Sequence, residues 1–248
     1  MMDRIQIEGK NPILEALKSG KTIERLYVQD GTDKRKIGDI LDLAKECRAV
    51  IEYVPKQRLD NMAQSHAHQG LIGILPEAAY ADFEQLVEDT LKENTSPLFV
   101  ILDEIQDPHN LGAIIRSSEC AGVAGVIVPA RRSAPLSSVA YKASAGALAH
   151  IPIARVTNLV DAIKYLKSKN IWVIGTDAEG ESCYSADLTG ALALVIGSEG
   201  KGIRRLVAEN CDNVVSIPME GKINSLNASV AAGVLIFESK RQRISKKP

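Results

Sequence analysis

Apolar residues along this 248-residue chain fall into two alternating patterns. Short unbroken apolar runs mark buried strands, and they are separated by stretches whose apolar residues return every three or four positions, as on a one-sided helix. In the first third, Ile13, Leu14 and Leu17 give a helix over 11–18 that Gly20 stops. The run 24–28 reads as a strand. Ile37, Ile40, Leu41 and Ala44 give a helix over 33–47. A strand at 50–54, a helix over 55–64 opened by Pro55, and a strand at 70–75 follow. From residue 98 the alternation returns on a larger scale. Strands are expected at 98–102, 126–128, 151–156, 171–175, 191–196 and 214–217. Helices are expected over 111–121, 139–149, 159–169, near 203–210 and over 226–240. The pattern predicts an α/β fold in both parts. The last helix is apolar nearly all round as far as Phe237, so it is expected to be largely buried.

Charge places the boundary between the two parts. Residues 1–76 hold 12 Lys+Arg against 11 Asp+Glu, residues 77–97 hold 1 against 6, and residues 98–248 hold 17 against 14. An acidic connector over 77–97 therefore joins a small first domain, 1–76, to a larger one, 98–248. Phe83, Leu86, Val87 and Leu91 suggest that it docks as a helix. No apolar run reaches the ~18–20 residues of a membrane span, and the start at Met1 lacks a signal pattern. The four cysteines are scattered without a Cys-x-x-Cys, which points to reduced thiols of a cytoplasmic protein and not to a disulfide frame or zinc site. His66 and His68 have no third ligand at sensible spacing, so no metal is expected. Gly20-Lys21-Thr22 resembles the end of a phosphate loop, but that loop needs glycine where Glu15 stands.

Candidate chemistry gathers late in the chain. The run 191–196 stops at Gly197, and Gly197, Gly200 and Gly202 bracket Ser198, Glu199 and Lys201. The run 214–217 stops at Pro218 and leads through Gly221 to Ser225, Leu226 and Asn227 at a helix start. Two strands ending in glycine-rich turns form a crevice at the carboxyl edge of a sheet, where α/β proteins bind ligands. A dinucleotide fingerprint would instead follow the first strand of the domain, and the turn 103–110 contains no glycine. Tight strand-to-helix turns with no ligand are the plainer alternative.

Three ordered segments carry a resemblance. They are Asp107-Pro-His-Asn-Leu-Gly-Ala-Ile-Ile-Arg116, Gly197-Ser-Glu-Gly-Lys-Gly202 and Ile217-Pro-Met-Glu-Gly-Lys-Ile-Asn-Ser-Leu-Asn227. Together they resemble the motifs of the SpoU/TrmH branch of the SPOUT methyltransferases, over the whole of 98–238. Residues 5–76 are similar to the ribosomal-protein-like RNA-binding domain that precedes it in some members. The combination is most similar to the bacterial enzymes that methylate a guanosine ribose 2′-hydroxyl in large-subunit (23S) ribosomal RNA. The resemblance implies a deep trefoil knot, S-adenosylmethionine as cofactor, and a homodimer whose site is completed across the interface. A transfer RNA target, or a non-catalytic RNA-binding protein of this fold, are the rival readings.

Site residues follow from the same resemblance. Ile196, Gly197, Glu199, Gly202, Ile217, Pro218, Met219, Ser225, Leu226 and Asn227 would hold the cofactor. Arg116, Asn110, Glu199, Ser225 and Asn227 would serve catalysis. Arg116 would grip a phosphate and orient the 2′-hydroxyl, since guanidinium gives up its proton very reluctantly; its plain alternative is an ion pair with Glu119. Asn110, Ser225 and Asn227 could equally be ordinary helix caps. Arg131, Arg132, Lys201, Arg204, Arg205 and Lys222 would form an RNA-binding rim, or else a solvated face. A 2′-oxygen target requires RNA.

Overall fold

The computed structural model describes residues 5–63, 68–75, 80–222 and 225–245. His66, the first residues of the acidic connector, Ile223 and Asn224 of the third motif, and the tail residues Lys246 and Lys247 lie outside the described residues. Contacts divide the chain into two units, 1–79 with 135–150, and 80–134 with 151–248.

The first unit is built on a four-stranded sheet. Its strands are β1 (Ile5–Glu8), β2 (Arg25–Gln29), β3 (Val50–Val54) and β4 (Leu71–Leu75), in the order β1-β4-β2-β3. β2 and β3 run parallel, while β4 runs antiparallel to β1 and β2. The hydrophobic pattern missed β1. Four residues are too few to show a period, yet Ile5 and Ile7 are buried and Ile5 pairs with Leu75. Helices α1 (Lys10–Lys18), α2 (Gly38–Glu46) and α3 (Lys56–Met62) connect the strands. The helix expected over 33–47 begins later because the Asp33 carboxylate accepts from Arg35 N–H and closes a separate 3-10 turn at Lys34–Lys36. His68 is a structural residue. Its Nδ1 accepts from Gly70 N–H at 3.0 Å, so the ring proton sits on Nε2 and faces Asp60 at 2.9 Å.

The second unit opens with α4 (Phe83–Glu93), whose Val87 is buried in that unit's core. Its six strands are all parallel: β5 (Leu98–Leu102), β6 (Gly125–Pro129), β7 (Ile153–Val156), β8 (Trp172–Ser182), β9 (Leu192–Ile196) and β10 (Asn213–Ser216). Their order is β10-β8-β9-β5-β6-β7. β5 and β9 are buried at every residue, as central strands covered on both faces should be. Connections run through α5 (Pro108–Ala121), α7 (Leu159–Ser168) and α8 (Arg205–Ala208), and α9 (Ala228–Ser245) ends the described chain. No helix among the described residues is long and apolar enough to cross a membrane.

Three segments depart from the expected pattern. The small-residue helix expected over 139–149 is α6 (Ser138–Ala143) followed by a 3-10 turn at Ala147–Ala149, and it groups with the first unit. Ala145 and Gly146 take positive φ, which ends the helix between them. β8 continues to Ser182 instead of stopping at residue 175, for a reason taken up below. Finally, α9 is not buried all round: Val230, Phe237 and Ile244, seven residues apart, stay exposed along one side.

The polar side of α9 is stitched to neighbouring loops. Ser239 Oγ donates to Leu188 O at 2.7 Å, Gln242 Nε2 donates to Ala186 O at 3.1 Å, and Arg243 donates to Gly190 O at 2.7 Å. Glu238 is buried and accepts from Arg241 and Gln242, each at 2.8 Å. The hydrogen bond from Arg241 holds this carboxyl below its usual range, with burial acting the other way. A depressed folded pKa contributes stability above the usual carboxylate range, and that contribution is lost as pH falls through the lower folded value. Glu238→Gln is therefore expected to lower the melting temperature by about 2–4 °C at pH 7, with the gap to wild type closing below about pH 4. Thermal melts from pH 3 to 8 on both proteins check this. A gap that stays constant across the range would refute it.

Candidate active site

Sheet geometry brings the late glycine turn to the carboxyl edge. β9 ends at Ile196, and the chain then closes on itself, with Ser198 and Gly202 pairing through N–H to carbonyl bonds of 3.1 and 3.0 Å. This loop leaves no room for a side chain at Gly197. A Cβ there would lie 2.1 Å from the Gly202 carbonyl carbon and 2.4 Å from Ile203 N. Behind the loop, Arg204 donates its backbone N–H and its Nε to Asp103, both at 2.8 Å. Asp103 is fully buried at the end of β5 and its own N–H binds Ile196 O, so the loop is fastened to the sheet centre. Such charge-assisted bonds contribute roughly 1.5–3 kcal/mol each when buried.

A triad of polar side chains joins the three motifs. Glu199 Oε1 accepts from Asn110 Nδ2 at 3.0 Å, from the Ala228 N–H at 3.2 Å, and from Asn227 Nδ2. Asn227 Nδ2 also reaches Asn110 Oδ1 at 3.0 Å. Asn227 receives the Ser229 N–H at 3.0 Å, so it caps α9 while its amide holds the triad. Asn110 is not the cap of α5. Asp107 takes that place by accepting from His109 N–H at 2.9 Å, with Pro108 opening the helix. The Asn110 side chain is thereby left to Glu199 and Asn227.

A cavity of about 450 Å³ opens against this frame, a size suited to a small-molecule ligand. Ile196, Gly197, Glu199 and Gly202 form one wall, and Ile217, Pro218, Met219, Ser225 and Leu226 the facing one. Asn227 does not line it and stands behind Glu199. The site therefore offers apolar side chains, closely approachable backbone and a few polar groups, which suits a nucleoside, and a side chain at Gly202 would strike the Asp177 carboxylate on the cavity wall. Thr176, Asp177 and Ala178 also line the cavity, and nothing in the hydrophobic pattern pointed to them.

Among the cations proposed for RNA, three are already engaged. Arg204 is paired with Asp103, and Arg132 with Glu104 at 2.9 Å, which draws the Glu104 carboxyl below its usual range. Arg205 pairs with Glu209 at 3.3 Å on α8. Arg131, Lys201 and Lys222 are exposed with no hydrogen bond or ion pair among the described residues. Arg116 is likewise exposed on α5, and the ion pair with Glu119 does not form. Within the described residues no group of three or more His, Cys, Asp or Glu is arranged to hold a metal.

A parallel sheet with a nucleoside-sized cavity between two late strand ends, backed by an Asn–Glu–Asn triad, sets this chain apart from the early-loop nucleotide folds. The profile of the SpoU rRNA methylase family matches residues 97–237, and the chain belongs to that family of RNA methyltransferases. A second profile, RNA 2′-O ribose methyltransferase substrate binding, matches residues 6–81. YacO of Bacillus subtilis (strain 168), which carries the name of the TrmH family of tRNA/rRNA methyltransferases, is 44% identical over 236 residues, covering 95% of this chain and 94% of its own. A Staphylococcus haemolyticus protein of the same family name is 44% identical over 98% of this chain and 97% of its own. Among solved structures, the SpoU methyltransferase AviRb from Streptomyces viridochromogenes, in complex with AdoMet, superposes with TM-score 0.82 at 26% identity, covering 98% of this chain and 91% of that one. A TrmH/SpoU tRNA modifying enzyme of A. aeolicus gives TM-score 0.56 at 28% identity, over 66% of this chain and 83% of its own.

Proposed function

We propose that the chain transfers a methyl group from S-adenosylmethionine to a ribose 2′-hydroxyl of RNA, at a guanosine of large-subunit ribosomal RNA. The observation that carries this reading is the cavity, whose two walls come from the second and third motifs while the first motif is tied to both through Glu199. AviRb, similar over nearly the whole chain, holds AdoMet, and the substrate-binding profile over 6–81 names ribose 2′-O chemistry. When bound, the cofactor supplies an electrophilic methyl group on sulfonium, whose C–S bond breaks as the 2′-oxygen gains the methyl and gives up its proton.

The residues of the chain then have distinct tasks. Ile196, Ile217 and Leu226 give the base an apolar slot, and the Gly197–Gly202 backbone approaches the ligand closely. Glu199 and Asn227 fix the loop to the start of α9, and Asn110 fixes both to α5. Ser225, which lines the cavity, offers a hydroxyl to cofactor or substrate. Arg116, which has no hydrogen bond or ion pair among the described residues, grips the phosphate next to the target ribose and holds its 2′-hydroxyl in line, while the proton passes to that phosphate. Arg131, Lys201 and Lys222 extend the phosphate-binding rim.

The same reading includes the trefoil knot and a homodimer. The exposed stripe of Val230, Phe237 and Ile244 on α9 supports the dimer, because a water-facing apolar seam on a terminal helix is the kind of surface a second copy covers. A transfer RNA target is the second reading, favoured by the tRNA enzyme of A. aeolicus, though that likeness spans only 66% of this chain. Incubation with labelled cofactor and either ribosomal or transfer RNA, followed by mapping of the methylated riboses, separates the two. Label on a base would reject the reaction, and a calorimetric titration showing no cofactor binding would favour a non-catalytic RNA-binding protein.

A further inference from the structure

We infer that Asp177 is a cofactor-binding residue whose carboxylate takes the ribose hydroxyls of the methyl donor. The inference rests on the proposed cofactor site and adds to it a residue that none of the three motifs contains.

β8 is irregular near its carboxyl end. Its ladder to β10 runs Asn213 to Ile174 and Val214 to Gly175, then jumps to Val215 opposite Glu181 and Ser216 opposite Ser182. Residues 176–180 are therefore carried out of the ladder, five residues with no partner on β10. Breaks in a strand ladder are over-represented beside active sites, where they re-aim a side chain. Both ends of this one are pinned. Thr176 Oγ1 donates to Val195 O at 2.8 Å, and Ser216 Oγ donates to Gly180 O at 2.8 Å. The segment between, with Asp177, faces the cavity.

Asp177 is half-buried, and its two oxygens are not equivalent. Oδ1 is the acceptor in a long contact of 3.3 Å from Glu179 N–H, while Oδ2 has no hydrogen bond among the described residues. Oδ2 instead lies over Gly202, where a Cβ would come within 2.7 Å of it. Glycine at 202 is what lets the carboxylate stay in the cavity wall. The other acid on that wall, Glu199, already spends Oε1 on Asn110, Asn227 and Ala228. A half-buried carboxylate oxygen facing a ligand cavity calls for a hydrogen-bond donor. Neighbouring strands lie about 4.8 Å apart, and β8 stands between β9 and β10, whose ends form the base slot. The segment 176–180 at the end of the middle strand thus meets the nucleoside, whose vicinal diol supplies two donors, and not the amino-acid end.

Calorimetric titration of the full chain tests this with two probes. One is S-adenosylhomocysteine; the other is 5′-methylthioadenosine, which keeps base and ribose but lacks the amino-acid end. Asp177→Ala is expected to weaken both by the same factor, roughly 10- to 100-fold, and the near-isosteric Asp177→Asn to weaken both less. Wild-type affinity for both probes in both variants would overturn the inference. So would a loss confined to S-adenosylhomocysteine, which would move Asp177 to the ammonium of the amino-acid end. Absence of binding by the wild-type protein would instead sink the methyl-donor reading itself.

Discussion

Gly197→Ala is expected to abolish cofactor binding. The methyl group it adds would meet only main-chain atoms: Gly202 C at 2.1 Å, Gly202 O at 2.3 Å and Ile203 N at 2.4 Å. Flexible side chains can swing away from an intruder, but these atoms cannot. They are held by the Ser198–Gly202 pairing in front and by Arg204 on buried Asp103 behind. The loop must open, and opening it moves Glu199 away from Asn110 and Asn227. Affinity for S-adenosylhomocysteine should fall by more than about 100-fold, with a stability loss of roughly 1–3 kcal/mol from the forced backbone shift. Titration calorimetry and denaturant unfolding on the same preparation read both numbers. Near-wild-type affinity in a folded variant would mean that the ligand does not use this loop.

Arg116→Ala should show the opposite separation. Turnover is expected to drop by at least on the order of 10²–10³ while cofactor affinity stays within about two-fold, because the residue positions the sugar and does not line the cavity. Arg116→Lys should recover little, since an ammonium cannot reproduce the planar two-pronged grip of guanidinium on phosphate. Single-turnover methyl transfer under saturating RNA, beside a cofactor titration, distinguishes the outcomes. Loss of cofactor binding in Arg116→Ala would place the side chain in the cofactor pocket.

The parts of this site that sequence displays are those where a regular pattern is cut short. An apolar run that ends at Gly197, and another that ends at Pro218, announce both walls of the cavity, because buried parallel strands are continuous apolar runs and their ends are abrupt. What stayed hidden depends on partners far along the chain. The apolar run 171–175 reads as a finished strand; only pairing with β10, which returns at Glu181, reveals that β8 goes on to Ser182. Arg204 and Arg132 read as spare surface charge until folding brings Asp103 and Glu104 beside them, 101 and 28 residues away. Asn110 looked like a cap because asparagine before an apolar run usually is one, and Asp107 three positions earlier does that work. Local preference finds elements, while long-range pairing decides which polar side chains remain available for a ligand.

The all-parallel ladder carries a consequence for how the molecule forms. β5 pairs along its whole length with β9, from Leu98 opposite Leu192 to Leu102 opposite Ile196, so the two central strands meet only after some ninety intervening residues have been gathered in. No neighbouring pair in that sheet can zip up from a tight hairpin, and loop closure must be achieved before any ladder rewards it. Refolding from denaturant should accordingly be slow, with the sticky edges of half-assembled strands exposed to wrong pairing meanwhile.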